Sequence, residues 1–363
     1  MEAIMPAHRT DGPLKGRGSF TNRASRFSAW QSEVFDDGWD SAEPPPQRLP
    51  TRILDDPSRS VVSWNTSPDI PFDRSVNPYK GCEHGCPYCY ARPTHAYLDM
   101  SPGLDFETRV LAKRDAPALL RRTLAQRGYT PAPMALGANT DPYQPAERRL
   151  GITRGVLEVL AEARHPVVIV TKSALVERDL DILAEMAGRN LVSVHLSITT
   201  LDRDLGRRME PRAAAPQRRL RTLTALTEAG IPAGVLFAPV IPALNDAEME
   251  SVLAQSSDAG AVSAAYVLLR LPREVEGLFT EWLEAHYPDR AAHVLSLVQQ
   301  MRGGSSNDSR FGSRMRGTGA HADVIAARFR VAARRLGLDG GGPVLDCAAF
   351  RPPREDGQFD LFG

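Results

Sequence analysis

Short apolar runs alternate with amphipathic stretches through the middle of this chain. The runs at 134–137, 166–171, 191–199, 235–241 and 266–271 have the length and the Val/Ile/Leu/Ala content of buried strands. A further strand-like segment lies at 75–79. Between the runs, 154–163, 179–187, 216–229 and 246–255 carry apolar residues at helical spacing. Pro216 suits the first turn of a helix and Gly230 its C-terminal stop. This alternation predicts an α/β fold, a parallel sheet with helical crossovers. Six strands are visible rather than eight, which predicts a partial barrel and not a closed one. In parallel barrels the chemistry gathers at the carboxyl ends of the strands, and the motifs described below fall at such ends.

The flanks read differently. Residues 1–60 contain GPLKGRGS, Asp36-Asp37-Gly38 and prolines 44–46, without a sustained period. They are expected to form a flexible segment, in which the string Lys15-Gly16-Arg17-Gly18 could meet a phosphate. Residues 275–336 predict helices interrupted at 302–320. That Gly/Ser-rich stretch carries Arg302, Arg310, Arg314 and Arg316 and is long for an ordinary connection; a lid or a phosphate clamp is expected. From 338 the chain is again rich in Gly and Pro. The expected division is a flexible segment 1–60, a core barrel 61–275, a helical extension 276–337 and a flexible tail 338–363.

Composition narrows the class. The 363 residues hold 44 Lys+Arg against 44 Asp+Glu, with 42% hydrophobic and 24% charged residues. Those values exclude a wholly disordered or collagen-like chain. No apolar run approaches the roughly 20 residues that cross a bilayer, and the N-terminus lacks a signal-peptide core. A soluble cytoplasmic protein without a membrane partner is expected. With zero net charge, any nucleic-acid binding must be local; the arginines between 203 and 221 and in 302–320 are the basic segments. Only residues 15, 80, 113 and 172 are lysines, so each lysine stands out.

The chemistry concentrates in NPYKGCEHGCPYCYARPTH, residues 77–95. Cys82, Cys86 and Cys89 are spaced Cys-x3-Cys-x2-Cys, with Tyr88 before the third, while Cys347 stands alone. Three thiolates on one short loop can hold three corners of an iron–sulfur cubane and leave the fourth iron open. Structural zinc is the competing reading; it wants four ligands, and His84, His95 or Cys347 could supply the fourth. The position of the loop after the first strand of a βα series favours iron–sulfur.

On these residues the chain resembles the radical S-adenosylmethionine (SAM) enzymes, and more closely the DNA-repair-photolyase-like branch related to spore photoproduct lyase. The matching strings are NPYKGCEHGCPYCYAR, NTDPYQPAER (139–148), VTKSALVERDLD (170–181), HLSITTLD (195–202), MEPRAAAPQRRL (209–220) and APVIPALND (238–246). The likeness covers about 72–272 and implies a partial (β/α)6 barrel. It also implies a [4Fe-4S] cluster on the three cysteines, with SAM at the open iron. An electron from an external reductant would cleave SAM to methionine and a 5′-deoxyadenosyl radical, which abstracts a substrate hydrogen.

The resemblance assigns further residues. Asn139, Thr140 and Asp141 replace the motif that meets the SAM amino group, with Asp141 as the natural ammonium partner; a turn cap is the plain alternative. Lys172 matches a SAM-carboxylate lysine, against a surface lysine. Ser197 matches a residue on the ribose or amino-acid part, against a core serine. Glu210 and Arg218 could hold a hydroxyl and a carboxylate, or form solvated ion pairs. His195 reads as a satisfied core histidine. The family's hydrogen-donating cysteine is replaced by Ala138, which leaves Tyr88, Tyr90, Tyr143 and Cys347 as candidate relays.

Kinship and the basic segments imply a nucleic-acid substrate, in DNA repair or modification. A protein or small-metabolite substrate and a non-catalytic, zinc-bearing nucleic-acid-binding protein are the alternatives. The tail string Gln358-Phe359-Asp360-Leu361-Phe362 resembles the motif that docks on bacterial sliding clamps, with Gln358 orienting and Leu361 and Phe362 as anchors. A tail folded back on its own domain is the other reading.

Overall fold

The apolar runs become the strands of one large sheet. In the computed structural model, which describes residues 14–27 and 49–353, the strands are β1 (Arg52–Asp55), β2 (Val62–Trp64), β3 (Arg74–Val76), β4 (Tyr79–Lys80), β5 (Arg109–Ala112), β6 (Met134–Leu136), β7 (Val167–Thr171), β8 (Val192–Ser197), β9 (Ala233–Val240) and β10 (Ser263–Leu268). Seven of them are ordered β10-β9-β8-β7-β6-β3-β2. The first six in that order are mutually parallel, and β2 runs antiparallel to β3. The sheet does not close, so β10 and β2 are its edges. A second sheet, β1-β5-β4, was not expected from the pattern.

Side-chain alternation separates the two faces of the large sheet. Leu136, Ile169, Val194, Leu196, Val235 and Phe237 point outward and are fully buried. Against them pack Val156 and Leu160 of helix Ile152–Glu162, Leu183 of Leu180–Ala187, Leu223 and Leu226 of Pro216–Glu228, and Val252 of Met249–Asp258. The inner face carries Ala135, Val168, Val170, Ser193, His195, Ser197, Gly234, Leu236, Ser263 and Ala265. Only Val168, Val170 and Leu236 among these are branched apolar residues of the kind that fill the interior of closed barrels. The lumen therefore stays open: Val168, Val170, His195 and Leu236 are only half-buried and Ala265 is exposed. The predicted C-terminal helices appear as Glu274–His286, Pro288–Gln300 and Ala320–Arg335.

Three flanking regions correct the sequence expectations. First, residues 14–27 pack onto the core, with Arg17, Gly18, Ser19 and Phe20 buried. The cause is Glu107, a fully buried carboxylate that needs donors. Arg92 supplies one at 2.5 Å, and the backbone N–H groups of Gly18 and Ser19 supply two more at 3.1 and 2.9 Å. Arg17 donates to the Glu107 and Leu49 carbonyls, so it is committed inside the protein and not offered to a phosphate.

Second, the segment 338–353 crosses the amino ends of the strands. Arg351 N–H bonds to the Ala163 carbonyl and Asp346 N–H to that of Asn190, and Phe350 packs on Tyr129 and His165. Third, the 302–320 loop is stitched to an edge of the barrel. Arg302 is buried and donates to the carbonyls of Leu268, Leu269 and Arg314, while Leu268 and Leu271 N–H groups bond to Met315 and Ser306. Arg314 and the Gly312 N–H both hold Asp69, which lies between β2 and β3. The loop thus bridges the two open edges of the sheet.

A candidate cofactor site at the strand ends

Cys82, Cys86 and Cys89 occupy the connection after β4. The connection is fixed largely from its backbone: Cys82 N–H bonds to the Phe106 carbonyl at 2.9 Å, and Arg92 Nε donates to the Cys86 carbonyl at 2.8 Å. Gln144 bridges the loop, donating to the Gly81 carbonyl and accepting from Glu83 N–H. Gly85 has φ +72°, and a Cβ on it would lie 2.8 Å from Glu107 Oε2; only glycine fits there. On the other side Gly18 lies flat on this turn, since a Cβ on Gly18 would meet the Gly85 carbonyl oxygen at 1.7 Å.

The three thiols share one patch. Burial raises the Cys82 pKa, reinforced by Asp141 and the other two cysteines. Burial, with Glu210 nearby, pushes Cys86 up to about 12, opposed by Lys172. Thiols held that way ionise readily only when a metal takes the proton's place. Among the described residues no three His, Cys, Asp or Glu side chains converge as a single-ion site. The fourth ligands that zinc would require are engaged or distant. His84 pairs with Asp141 at 3.4 Å, and His95 bonds the Arg109 carbonyl at 3.0 Å. Cys347 belongs to the segment at the amino ends of the strands, the wrong end of the barrel, which also removes it as a radical relay. The donor set fits an iron–sulfur cubane and does not fit zinc.

A second group of side chains stands beside the thiols at the ends of β7, β8 and β9. Lys172 Nζ hydrogen-bonds Ser197 Oγ and lies 3.3 Å from both Thr199 Oγ1 and the Ala238 carbonyl. It is also 3.2 Å from Glu210. Glu210 accepts from Tyr88, from Thr199 at 2.6 Å and from Arg219. Burial works against the Glu210 charge, yet Arg219, Lys172, Thr199 and Tyr88 together hold its carboxyl far below the usual range. The Lys172 ammonium faces the Tyr88 ring at 5.9 Å.

The structure thus brings Lys172, Ser197, Glu210 and Tyr88 together, and it corrects two assignments. Arg218 points away and pairs with Glu177; the arginine on Glu210 is Arg219, which is buried. Asp141 is not free for an ammonium group. It accepts from Thr171 Oγ1 and Lys172 N–H, each at 2.7 Å, and faces His84; burial is outweighed by these partners, and its pKa is lowered. Asp141 therefore fixes the backbone at Lys172. Thr140 donates to the Tyr79 carbonyl, and Asn139 is tied through its N–H to Asn77 while its side-chain amide bonds no described residue. Tyr143 is fully buried. The Tyr90 hydroxyl reaches the Ala138 carbonyl, with its ring under Arg270 at 4.9 Å.

Thiols at the mouth of an open parallel barrel, with an ammonium group beside them, suit a cofactor-dependent enzyme. Residues 76–255 match the family model of the radical SAM superfamily. An uncharacterised protein of Mycobacterium bovis is 40% identical over 233 residues, covering 64% of this chain and 68% of its own length. A second, from Methanocaldococcus jannaschii, is 26% identical over 215 residues, covering 59% and 76%. Among solved structures, spore photoproduct lyase superposes with a TM-score of 0.57 at 16% identity, over 78% of each chain. That enzyme has been solved with AdoMet and a dinucleoside spore photoproduct bound. The chain belongs to the radical SAM superfamily, whose enzymes use a [4Fe-4S] cluster and SAM. No described helix is long and apolar enough to cross a membrane.

Proposed function

We propose that Cys82, Cys86 and Cys89 hold the cluster, and that the enzyme acts on a nucleic acid. When bound, the cluster would pass an electron from an external reductant to SAM, which would divide into methionine and a 5′-deoxyadenosyl radical. The observation that supports this reading best is the placing of three thiols, Cys82 and Cys86 buried and Cys89 half-buried, beside an ammonium group, Lys172, that has rotatable hydroxyl partners. Lys172 and Ser197 suit the carboxylate of SAM, and the free amide of Asn139 suits its amino group. Glu210 and Arg219 orient Lys172 and Tyr88. Tyr90 is the candidate hydrogen relay, because its hydroxyl sits at Ala138, where the related lyases are expected to place a cysteine.

The nucleic-acid part rests on the rim. Tyr90 and Phe311 are exposed, with Arg270 stacked on the first and Arg314 on the second at 4.9 and 4.8 Å. Aromatic faces beside arginines suit stacked bases and phosphates. The likeness to an enzyme solved with a dinucleoside lesion points the same way. The test is anaerobic reconstitution with reductant and SAM. Cys86→Ala should lose most of its iron and all cleavage, while Cys347→Ala keeps both. DNA or RNA should accelerate 5′-deoxyadenosine formation, and Arg270→Ala should flatten the salt dependence of polymer binding. Acceleration by protein or metabolite pools alone would replace the nucleic acid.

Residues 354–363 lie outside the described residues, and the clamp-docking reading of Gln358, Leu361 and Phe362 remains part of the proposal. A sliding clamp should bind the full chain with micromolar affinity and lose the Leu361→Ala/Phe362→Ala variant. Equal binding of both forms would remove the clamp as a partner.

A further inference from the structure

The lumen holds a polar pair that the cofactor site does not use. His195 precedes Ser197 by two residues on β8, so both lie on the inner face and the imidazole stands roughly 7 Å deeper. The register aligns His195 with Gly234 of β9, and Gly234 with Ser263 of β10. The bare backbone of Gly234 makes room for both side chains. A Cβ there would stand 2.5 Å from Ser263 Oγ, 2.8 Å from His195 Cδ2 and 3.0 Å from His195 Nε2, so even alanine would collide with both. Three adjacent strands thus set an imidazole and a hydroxyl side by side over one bare backbone position.

Neither group is used by the protein. His195 Nδ1 and Ser263 Oγ are buried without a hydrogen-bond partner, and the other ring nitrogen of His195 bonds no described residue. Native proteins pair nearly all their buried polar groups. Two adjacent unpaired ones in an open lumen mark a place for another molecule.

The surroundings set the chemistry of that molecule. Burial alone lowers the His195 pKa, with no charged neighbour contributing. The ring is therefore neutral, with one nitrogen donating and the other accepting, and the Ser263 hydroxyl can do either. The flanking inner-face residues are Ser193, Leu236 and Ala265, with Val168 and Val170 beside them on β7, Val170 next to His195 itself. A phosphate, carboxylate or ammonium group here would be desolvated without a counter-charge. A flat, uncharged edge offering a donor beside an acceptor meets both side chains.

We infer that His195 and Ser263 form a reading site at the floor of the lumen for the hydrogen-bonding edge of an uncharged heterocycle on the substrate. On the nucleic-acid reading, on which this inference rests, that heterocycle is a nucleobase turned into the barrel. The residues assigned to SAM lie above it at the strand ends.

The test uses reconstituted protein carrying 15N in its histidine rings, with the His195 signals assigned by their loss in His195→Phe. Thymidine, deoxycytidine, deoxyadenosine and deoxyguanosine are titrated in turn, with 5′-deoxyadenosine as the cofactor-derived control. At least one nucleoside should shift the His195 ring nitrogens saturably. Ser263→Ala, a mild substitution whose fold is checked by its melting curve, should weaken that nucleoside's binding about three- to tenfold. No shift with any nucleoside, as expected if the pair holds only internal water, overturns the inference. So does a shift with 5′-deoxyadenosine alone. The two readings fail separately: a saturable nucleoside shift in a protein with no salt-dependent polymer binding keeps the floor site and rejects a polymer substrate.

Discussion

Lys172 is the residue on which the strand-end site turns. Its ammonium group is surrounded by a serine, a threonine and a carbonyl at the ends of β8 and β9, and by the buried carboxylate of Glu210, which follows the helix Arg203–Met209. Lys172→Met should leave iron content intact and weaken SAM binding by about 1–3 kcal/mol, measured by equilibrium binding to the reconstituted enzyme. Glu210→Gln should behave differently. It leaves Arg219 buried without a counter-charge, which costs about 3–5 kcal/mol of stability, and it frees Lys172 and Tyr88 to reorient. A Glu210→Gln variant that melts with the parent would show that Arg219 finds another partner. The sequence led to Glu210 but to the wrong arginine. The helical pattern held the answer: Arg219, Thr222, Leu223 and Leu226 follow the i, i+3, i+4, i+7 spacing of a buried face, and Arg218 lies off it. Nothing in the sequence marked Asp141 as the anchor of the Lys172 backbone, because that contact joins the ends of two different strands.

At the level of elements, the regular parts were legible and the straps were not. The helix expected at 216–229 is Pro216–Glu228, and that at 154–163 is Ile152–Glu162; each has a continuous apolar stripe. The helix expected at 246–255 is displaced to Met249–Asp258, because Asp246–Glu248 forms a 3₁₀ turn first. Strands β1, β2, β4 and β5 escaped because their two to four residues show no period and stand outside the regular strand–helix alternation that marks β6, which is as short. The strap at 14–27 escaped because a single carboxylate, Glu107, holds it from far along the chain. Phe20 of that strap packs in the same apolar cluster as Cys86 and Tyr88, so the strap covers one side of the cysteine loop. Gly18→Val cannot seat against the Gly85 carbonyl. In air, its absorbance near roughly 400 nm, the iron–sulfur band, should bleach several-fold faster than the parent's, and limited proteolysis should cut within 14–27. Unchanged bleaching with a released strap would mean that the loop shields its own cluster.

For the whole molecule, acid stability should draw most on two buried histidines at opposite ends of the barrel, which burial lowers further than His195 and His286. His95, by the cysteine loop, rests on Phe106 and the Arg109 carbonyl. His165, at the amino ends of the strands, sits between Tyr129, Phe350 and the Pro166 carbonyl. Burial lowers each to about 4, against about 6.5 in an unfolded chain. Between those values the unfolded chain binds protons that the native state refuses, so stability is complete above about pH 6.5 and falls as pH drops toward 4. Each histidine contributes at most about 3 kcal/mol across that window. The lowered carboxylates, Glu210 and Asp141, act only below it, as pH falls past their unfolded values near about 4. His165 is the cleaner probe, being far from the thiols. In anaerobic urea titrations between pH 7 and 5, His165→Gln should flatten the loss of stability while iron content tracks the parent at every pH. A slope equal to the parent's would mean that His165 takes its proton within the folded protein, by opening the Phe350 segment that covers it.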